Sequence, residues 1–124
     1  MADCIFCRVA RGEVPADTVY EDEAVLAFRD IHPVAPVHVL VIPRIHVTAL
    51  WDLEEKHGPL MSRLLLACND VASSEGIDHS GYRVVVNAGP NAGQSVDHLH
   101  LHVLGGQRMG WPPFPAPAAG AGEE

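Results

Sequence analysis

A stretch of strict alternation near the C-terminal end constrains the fold of this chain most strongly. In His98-Leu99-His100-Leu101-His102-Val103, imidazoles occupy every second position and aliphatic side chains lie between them. Because successive side chains of a β-strand point to opposite faces, the three histidines would share one face at intervals of roughly 6.5–7 Å. The aliphatic residues would point to the other face, where a helix could cover them. The pattern therefore predicts a strand over residues 97–104.

Other strands are indicated by short β-branched or aromatic runs that are bounded by turn residues. These runs cover residues 18–21, 24–28, 37–43 and 82–87. The segment over residues 4–12 could hold one short helical turn that closes at Gly12. Strands grouped as hairpins around one main helix predict an α+β domain with a mostly antiparallel sheet.

The main helix is predicted over residues 52–75. Asp52 and Glu55 match a capping box, Pro59 suits a first-turn position, and Gly76 is a typical C-terminal stop. Cys68 lies on the apolar stripe of this helix, where a free cysteine packs as a small hydrophobe.

Length, charge and hydropathy narrow the class of protein. The chain has 124 residues, the size of one domain, and a formal net charge of −8, which argues against affinity for nucleic acid. No apolar run approaches the roughly 20 residues that span a bilayer, so no membrane partner is expected. The N-terminus lacks the features of a secretory signal, so we expect a cytoplasmic location. We predict one domain over residues 1–113 and a Pro/Ala/Gly-rich, disordered tail over residues 114–124.

The row of three histidines has three interpretations. The least favoured is a set of solvated side chains on an exposed strand face, since the rest of the chain carries no such concentration. A metal cage would need a later carboxylate, and none follows between Val103 and Trp111. In the third, a neutral imidazole attacks an electrophilic centre and forms a covalent intermediate, provided that its second nitrogen donates to a fixed acceptor.

The segment QSVDHLHLHVLGGQRMGWPP resembles the signature of the histidine triad (HIT) family, in which His-x-His-x-His is followed by apolar residues. Its flanks resemble the Hint branch, the purine nucleoside phosphoramidases. The likeness extends through IFCRVARGEVPADTVYEDE, LAFRDIHPVAPVHVLVIPRIH and GYRVVVNAGPNAGQSV. It implies a HIT-like fold with a five-stranded sheet, one main helix and a short N-terminal helix, in a homodimer that hydrolyses purine nucleoside phosphoramidates. The alternatives are a dinucleoside polyphosphate hydrolase of the same family and a nucleotide-binding regulatory module.

The same resemblance implies roles for individual residues. His100 would be the nucleophile that becomes nucleotidylated, His102 would contact the phosphate or the leaving group, and His38 would help orient the site. The residues implied to contact the rest of the nucleotide are Phe28, Asp30, Ile31, Asn87, Gly93, Gln94 and Ser95.

Cys4 and Cys7 form a Cys-x-x-Cys pair. A redox pair would normally follow a strand and open a long helix, so coincidence and half of a zinc site are the stronger interpretations. Bacterial-type HIT proteins that begin with Cys-x-x-Cys resemble this chain, and the resemblance implies a structural zinc ion bound by this pair with His46 and His98. The remaining histidines have turn-like contexts and are predicted to be solvated: His32, His57 and His79.

Overall fold

The predicted strands pair into one antiparallel sheet. The computed structural model describes residues 4–114, in which the strands are β1 Thr18–Glu21, β2 Val25–Arg29, β3 Val37–Pro43, β4 Tyr82–Val85 and β5 Leu101–Gly105. Their order is β1-β2-β3-β5-β4, and each neighbouring pair is antiparallel. The helices are α1 Ile5–Ala10 and α2 Gly58–Ser74, with 3-10 turns at Leu50–Asp52, Glu55–His57 and Pro90–Ala92. The predicted α+β class is confirmed, with the five-stranded antiparallel sheet, one main helix and the short N-terminal helix.

A different helix covers each face of the sheet. α2 packs on one face, and the larger core cluster there includes Leu99, Leu101 and Val103, as the alternation predicts. Cys68 is buried in the same cluster, and burial raises the pKa of its thiol to about 11. On the other face, Phe6 of α1 packs against a smaller cluster from β2 and β3. This second face carries the functional side chains.

The strand predicted for the histidine row begins later than expected, at Leu101 rather than at residue 97. Continuing the β3–β5 register beyond the pair Val41 and Leu101 would place Pro43 opposite Leu99. Proline has no N–H to donate to a ladder, so the pairing stops there. The N–H of Leu99 donates instead to the carbonyl of Val47, at 2.6 Å.

This correction changes the position of two histidines. His98 and His100 lie just before β5, and only His102 lies within the strand. The predicted sharing of one face nevertheless holds, because the ring of Phe6 meets both His98 and His100 edge-on, at centroid distances of 5.9 and 5.2 Å. The row is therefore packed beneath α1.

The main helix also begins later than predicted, at Gly58. A helix begun at residue 52 would put Pro59 in its interior, where the missing N–H and the ring clash cost about 3 kcal/mol. Glu54 and His57 form the capping box that the sequence predicted for residues 52 and 55. His57 Nδ1 accepts the Glu54 N–H at 2.9 Å, in an exposed hydrogen bond on a half-buried side chain.

The remaining differences concern the ends of segments. β4 ends at Val85 rather than at residue 87. Of the predicted tail over residues 114–124, only Phe114 belongs to the described residues. No helix within residues 4–114 has both the length and the apolar character needed to cross a bilayer.

Candidate active site and metal centre

Two clusters of polar side chains lie on the α1 side of the sheet, and the ring of Phe6 contacts both. The metal cluster consists of Cys4, Cys7, His46 and His98. The histidine cluster consists of His38, His100 and His102. The row of histidines is thus divided between the two clusters.

The metal cluster has the donor set and the spacing of a four-coordinate site. One ligand atom from each residue lies within 4.8 Å of the others. Cys4 Sγ is 3.3 Å from His98 Nδ1, and Cys7 Sγ is 3.3 Å from His46 Nδ1 and 3.6 Å from His98 Nδ1. Tetrahedral zinc with bonds of about 2.0–2.3 Å holds its ligands roughly 3.3–3.8 Å apart. The observed spacing fits such an ion.

The second ring nitrogen of each histidine in the metal cluster is held by an acceptor. His98 Nε2–H donates to the carbonyl of Pro43 at 2.9 Å, and His46 Nε2–H donates to Thr48 Oγ1 at 3.2 Å. These bonds place each proton on Nε2 and leave the Nδ1 lone pair facing the thiols. A histidine that binds a metal through Nδ1 needs this tautomer.

The electrostatics of the metal cluster also suit a cation. Burial, reinforced by the neighbouring Cys4, raises the pKa of the Cys7 thiol. Burial lowers the pKa of His98, which keeps the imidazole neutral. A divalent cation between the thiols would favour their thiolates and offset the first effect, while the neutral His98 already offers its lone pair. These four residues could therefore hold a metal ion.

His100 is nearly buried, and one hydrogen bond sets its tautomer. Its Nδ1–H donates to the carbonyl of His98 at 2.7 Å. In the neutral tautomer that this bond selects, Nε2 carries the lone pair, on a ring that lines a cavity. A neutral imidazole with a fixed Nδ1–H and a free Nε2 is the arrangement that a nucleophile needs.

His38 and His102 form a short hydrogen-bonded chain. The N–H of Val34 donates to His38 Nδ1 at 3.1 Å, so the proton of His38 lies on Nε2. That Nε2–H donates to His102 Nδ1 at 2.9 Å and lies 3.3 Å from Asp30 Oδ2. His102 must then carry its own proton on Nε2, a buried atom without a hydrogen-bond partner among the described residues. A ligand acceptor at this atom would satisfy it.

Both members of this chain are neutral at neutral pH. Burial lowers the pKa of His38, although the charge of Asp30 opposes the shift. Burial, with contributions from His100 and His38, lowers the pKa of His102 to about 4. His102 therefore presents a neutral N–H donor.

A second group of possible metal ligands consists of Asp30, His38 and His102. Binding through His38 Nε2 would require that atom to lose its proton. The Val34 N–H on Nδ1 fixes the proton on Nε2, and the contact of 2.9 Å to His102 Nδ1 is a hydrogen-bond distance. This group does not fit a metal ion, so the row does not act as one metal cage.

A cavity of about 600 Å³ opens beside His100 and His102. Its apolar wall includes Phe6, Phe28 and Leu40, and its polar groups include Asp17, Asp30 and Ser95. The predicted contact residue Ile31 also lines it, at the exposed rim. Four of the predicted nucleotide contacts therefore line one cavity whose volume and lining suit a small organic ligand.

Three predicted contact residues lie outside this lining. Asn87 lines a neighbouring cavity, and Gly93 and Gln94 line neither of the two. The Gln94 amide donates to two backbone carbonyls at 2.7 and 3.1 Å and accepts a backbone N–H at 3.0 Å. These bonds order the loop that carries Ser95.

Sequence reasoning missed the contribution of α1 to the cavity. Ile5, Phe6 and Val9 all line it. The signal was their apolar character, but a helix of 6 residues is too short for its periodicity to identify a buried face.

Known proteins resemble this chain over most of its length. The family model described as the HIT domain matches residues 11–109. A 14 kDa zinc-binding protein of Brassica juncea is 48% identical over 113 residues, which are 90% of this chain and 99% of that protein. Adenylylsulfatase HINT1 of Arabidopsis thaliana is 46% identical over 111 residues, which are 88% of this chain and 75% of that protein.

A solved structure shares the fold closely. The crystal structure of a HIT family hydrolase from Legionella pneumophila matches with a TM-score of 0.89 and 45% identity. The match covers 90% of this chain and 100% of that one.

Proposed function

The chain belongs to the HIT family, and on that premise we propose that it is a nucleotide hydrolase that cleaves purine nucleoside phosphoramidates through a nucleotidyl-histidine on His100. The observation that carries the proposal is the pair of complementary tautomers at the cavity. His100 offers the lone pair of Nε2, and His102 offers an N–H from its own Nε2. The centroids of the His100 and His102 rings are 5.0 Å apart.

The reaction would proceed in two displacements. His100 Nε2 attacks the α-phosphorus and forms a P–N bond, while the bond from phosphorus to the amine breaks and its electron pair leaves with the amine, which takes a proton from water. The hydroxide left by that proton transfer then attacks the phosphorus of the nucleotidyl-histidine and the P–N bond to His100 breaks, which yields the nucleoside monophosphate and the free imidazole. One water is consumed overall.

His102 and His38 would stabilise the charge that moves during the first displacement. The His102 Nε2–H, which has no partner within residues 4–114, would donate to an oxygen on phosphorus or to the leaving group. His38, oriented by the Val34 N–H, keeps the proton of His102 on that atom. A preoriented donor in a buried site stabilises the transition state without reorganisation.

The nucleoside would bind in the cavity of about 600 Å³. Phe28 and Ile31 would contact the purine, and Asp30 would accept hydrogen bonds from the ribose hydroxyls. Ser95 would donate to the phosphate, and Asn87, Gly93 and Gln94 remain predicted contacts that a substrate complex would test.

The metal cluster would hold a structural zinc ion. The Brassica juncea relative is named a zinc-binding protein, and the two thiols and two imidazoles here are a common zinc donor set. Four protein ligands leave no open position for water or substrate, so the ion would tie Cys4 and Cys7 to the sheet rather than take part in chemistry.

A homodimer is the proposed assembly. β4 is an edge strand, and the backbone N–H and C=O groups along an exposed edge can form hydrogen bonds with a strand of another chain. Leu65 and Leu66 of α2 are 51% and 56% exposed, and Val84 of β4 is also exposed. The proposed interface therefore joins β4 and α2 of two copies. Light scattering that shows only the 13.3 kDa monomer at micromolar concentration would contradict it.

The proposed activity is tested by direct comparison of substrates. Adenosine 5'-phosphoramidate and diadenosine polyphosphates should be supplied at equal concentration, and the phosphoramidate should be cleaved faster. Acid quench followed by mass spectrometry should find one adenylyl group on His100. Faster cleavage of the polyphosphates would favour the alternative hydrolase, and binding without turnover of either would favour a regulatory module.

A further inference from the structure

The cations of this chain are unevenly paired. Six of its eight lysines and arginines lie within 4.0 Å of a carboxylate, namely Arg8, Arg11, Arg29, Arg44, Lys56 and Arg63. The other two, Arg83 and Arg108, have no carboxylate partner within residues 4–114. The net charge of the chain is −8, so these two cations lack a carboxylate neighbour in a chain that has an excess of carboxylates.

Arg83 and Arg108 line the same cavity. This second cavity has a volume of about 940 Å³, and its described lining contains Arg83 and Arg108 but no aspartate or glutamate. Its other walls are apolar or uncharged, and include Val34, Val85 and Leu104. The cavity is therefore positively charged, on a protein whose overall charge is negative.

The second cavity adjoins the histidine cluster. Val85 is the direct cross-strand partner of His102, and Leu104 is paired with Arg83. Arg83 is therefore the diagonal neighbour of His102 on the same face, at a typical Cα distance of about 7–8 Å, within the reach of a long side chain. His102 itself lines the first cavity, so it lies between the two.

Arg83 is held in place without being neutralised. Its guanidinium donates to the carbonyl of Gly110 and lies 5.8 Å from the centroid of the Trp111 ring. A guanidinium has five N–H donors, so these contacts leave others free for an anion. Arg108 is exposed and can approach the same ligand.

From these observations we infer that the second cavity binds an anionic group on the leaving group of the substrate. The inference rests on the proposed function, because it places the scissile bond at His100 and the departing group on the far side of His102. The preferred substrates are then nucleoside phosphoramidates whose amine carries a carboxylate, sulfonate or phosphate.

A matched set of substrates tests this inference. Adenosine monophosphate is joined through nitrogen to β-alanine, taurine or 2-aminoethyl phosphate, which carry three anions on one two-carbon spacer. The neutral reference is β-alaninamide, and adenosine 5'-phosphoramidate measures the basal activity. The full-length protein should have a kcat/KM for the best anionic substrate that is about tenfold above that of the neutral reference, since a charged hydrogen bond contributes enough for that factor. The measured ratio is kcat/KM for an anionic substrate divided by kcat/KM for the neutral reference. The substrate with the largest ratio identifies the preferred anion.

Variants identify the residues that produce the ratio. Arg108→Gln and Arg83→Gln should each lower the ratio by about threefold, and Arg108→Lys should retain most of it. Because Arg83 also binds the segment at Gly110, the exposed Arg108 gives the cleaner test. Lys56→Gln removes the same charge from a side chain that lines neither cavity, and should leave the ratio unchanged. Added salt should lower the ratio in the wild type.

The outcomes separate this inference from the proposed function. Normal turnover of adenosine 5'-phosphoramidate with a ratio near one would overturn the inference and leave the proposed function standing. An equal loss of ratio in Lys56→Gln would also overturn it, because net charge would then be the cause. No turnover of any phosphoramidate would overturn the proposed function itself.

Discussion

His98 and His100 are two residues apart and identical in covalent chemistry, yet they have opposite tautomers. His98 donates from Nε2 to Pro43 and leaves its Nδ1 lone pair among the thiols. His100 donates from Nδ1 to the carbonyl of His98 and leaves its Nε2 lone pair at the cavity. The carbonyl that lies within reach of each ring therefore decides which nitrogen is free.

The two clusters also differ in how completely their groups are satisfied. In the metal cluster, four ligand atoms face one another and both histidine N–H groups have acceptors. In the histidine cluster, His102 Nε2 is buried without a partner among the described residues. A closed set of donors suits a structural ion, whereas an unsatisfied donor beside a cavity suits a substrate.

Replacing the nucleophile should have the largest effect. His100→Asn removes the attacking nitrogen, and a nucleophile has no substitute in its own step, so kcat should fall by at least about 1000-fold. Discontinuous assays of adenosine 5'-phosphoramidate hydrolysis measure this fall in kcat. Nucleotide binding and the circular dichroism spectrum should be retained, and a variant with a tenth of the wild-type rate would show that His100 is not the nucleophile.

Removing the metal should affect stability and spare catalysis. A ligand that binds only the folded state stabilises it by about 4 kcal/mol at a thousandfold excess over Kd, so chelation or Cys7→Ser should lower Tm by roughly 10 °C or more. Assayed where the apo-protein is still folded, kcat/KM should change by less than about threefold.

Cys68→Ala is the matched control for the metal prediction. It removes a buried thiol on the α2 side of the sheet and should leave the zinc content at one per chain. A folded apo-protein that is inactive and recovers with added zinc would make the ion catalytic. If protein purified without a chelator holds no zinc although both thiols are reduced, the Cys-x-x-Cys spacing is a coincidence.

The lowered pKa of His102 predicts a pH dependence of stability. The folded-state pKa of about 4 lies below the ordinary 6.5, so the unfolded chain binds the proton more readily between these values. The free energy of unfolding should therefore be intact above pH 6.5 and decline as the pH falls toward 4. His102→Gln removes this contribution, and the slope should become shallower by up to about 1.4 kcal/mol per pH unit.

Urea unfolding of wild type and His102→Gln at pH 7, 6 and 5 measures the two slopes. Both proteins keep the metal cluster, so loss of zinc in acid affects them equally. Parallel slopes would mean that His102 is charged in the folded protein and that the neutral chain from His38 is wrong.

Phe6→Leu should have the smallest effect, and it acts on both clusters. The substitution removes the edge-on ring contacts with His98 and His100, and the free energy of unfolding should fall by about 1 kcal/mol. Because Phe6 lines the nucleotide cavity, KM should rise a few-fold while kcat and zinc content stay constant. A fall in kcat instead would show that the ring positions His100.

Much of the fold could be predicted because it depends on near neighbours in sequence. The alternation of the histidine row predicted which face Leu99 and Leu101 share, and the core cluster confirms it. Short runs bounded by turn residues located four of the strands and the alternation located the fifth, because side-chain period and turn chemistry are local properties. The resemblance at the triad and the Cys-x-x-Cys pair also selected four residues that the structure brings within 4.8 Å.

The tertiary structure decided what those local patterns could not contain. β5 begins at Leu101 because its register with β3 sets Pro43 opposite Leu99, a meeting that neither segment encodes alone. The tautomer of His98 depends on a carbonyl 55 residues away. Periodicity predicts which face of the strand a side chain occupies. The tautomer of a histidine depends instead on which acceptor lies within about 3 Å of its ring, and only the folded sheet brings that acceptor into place.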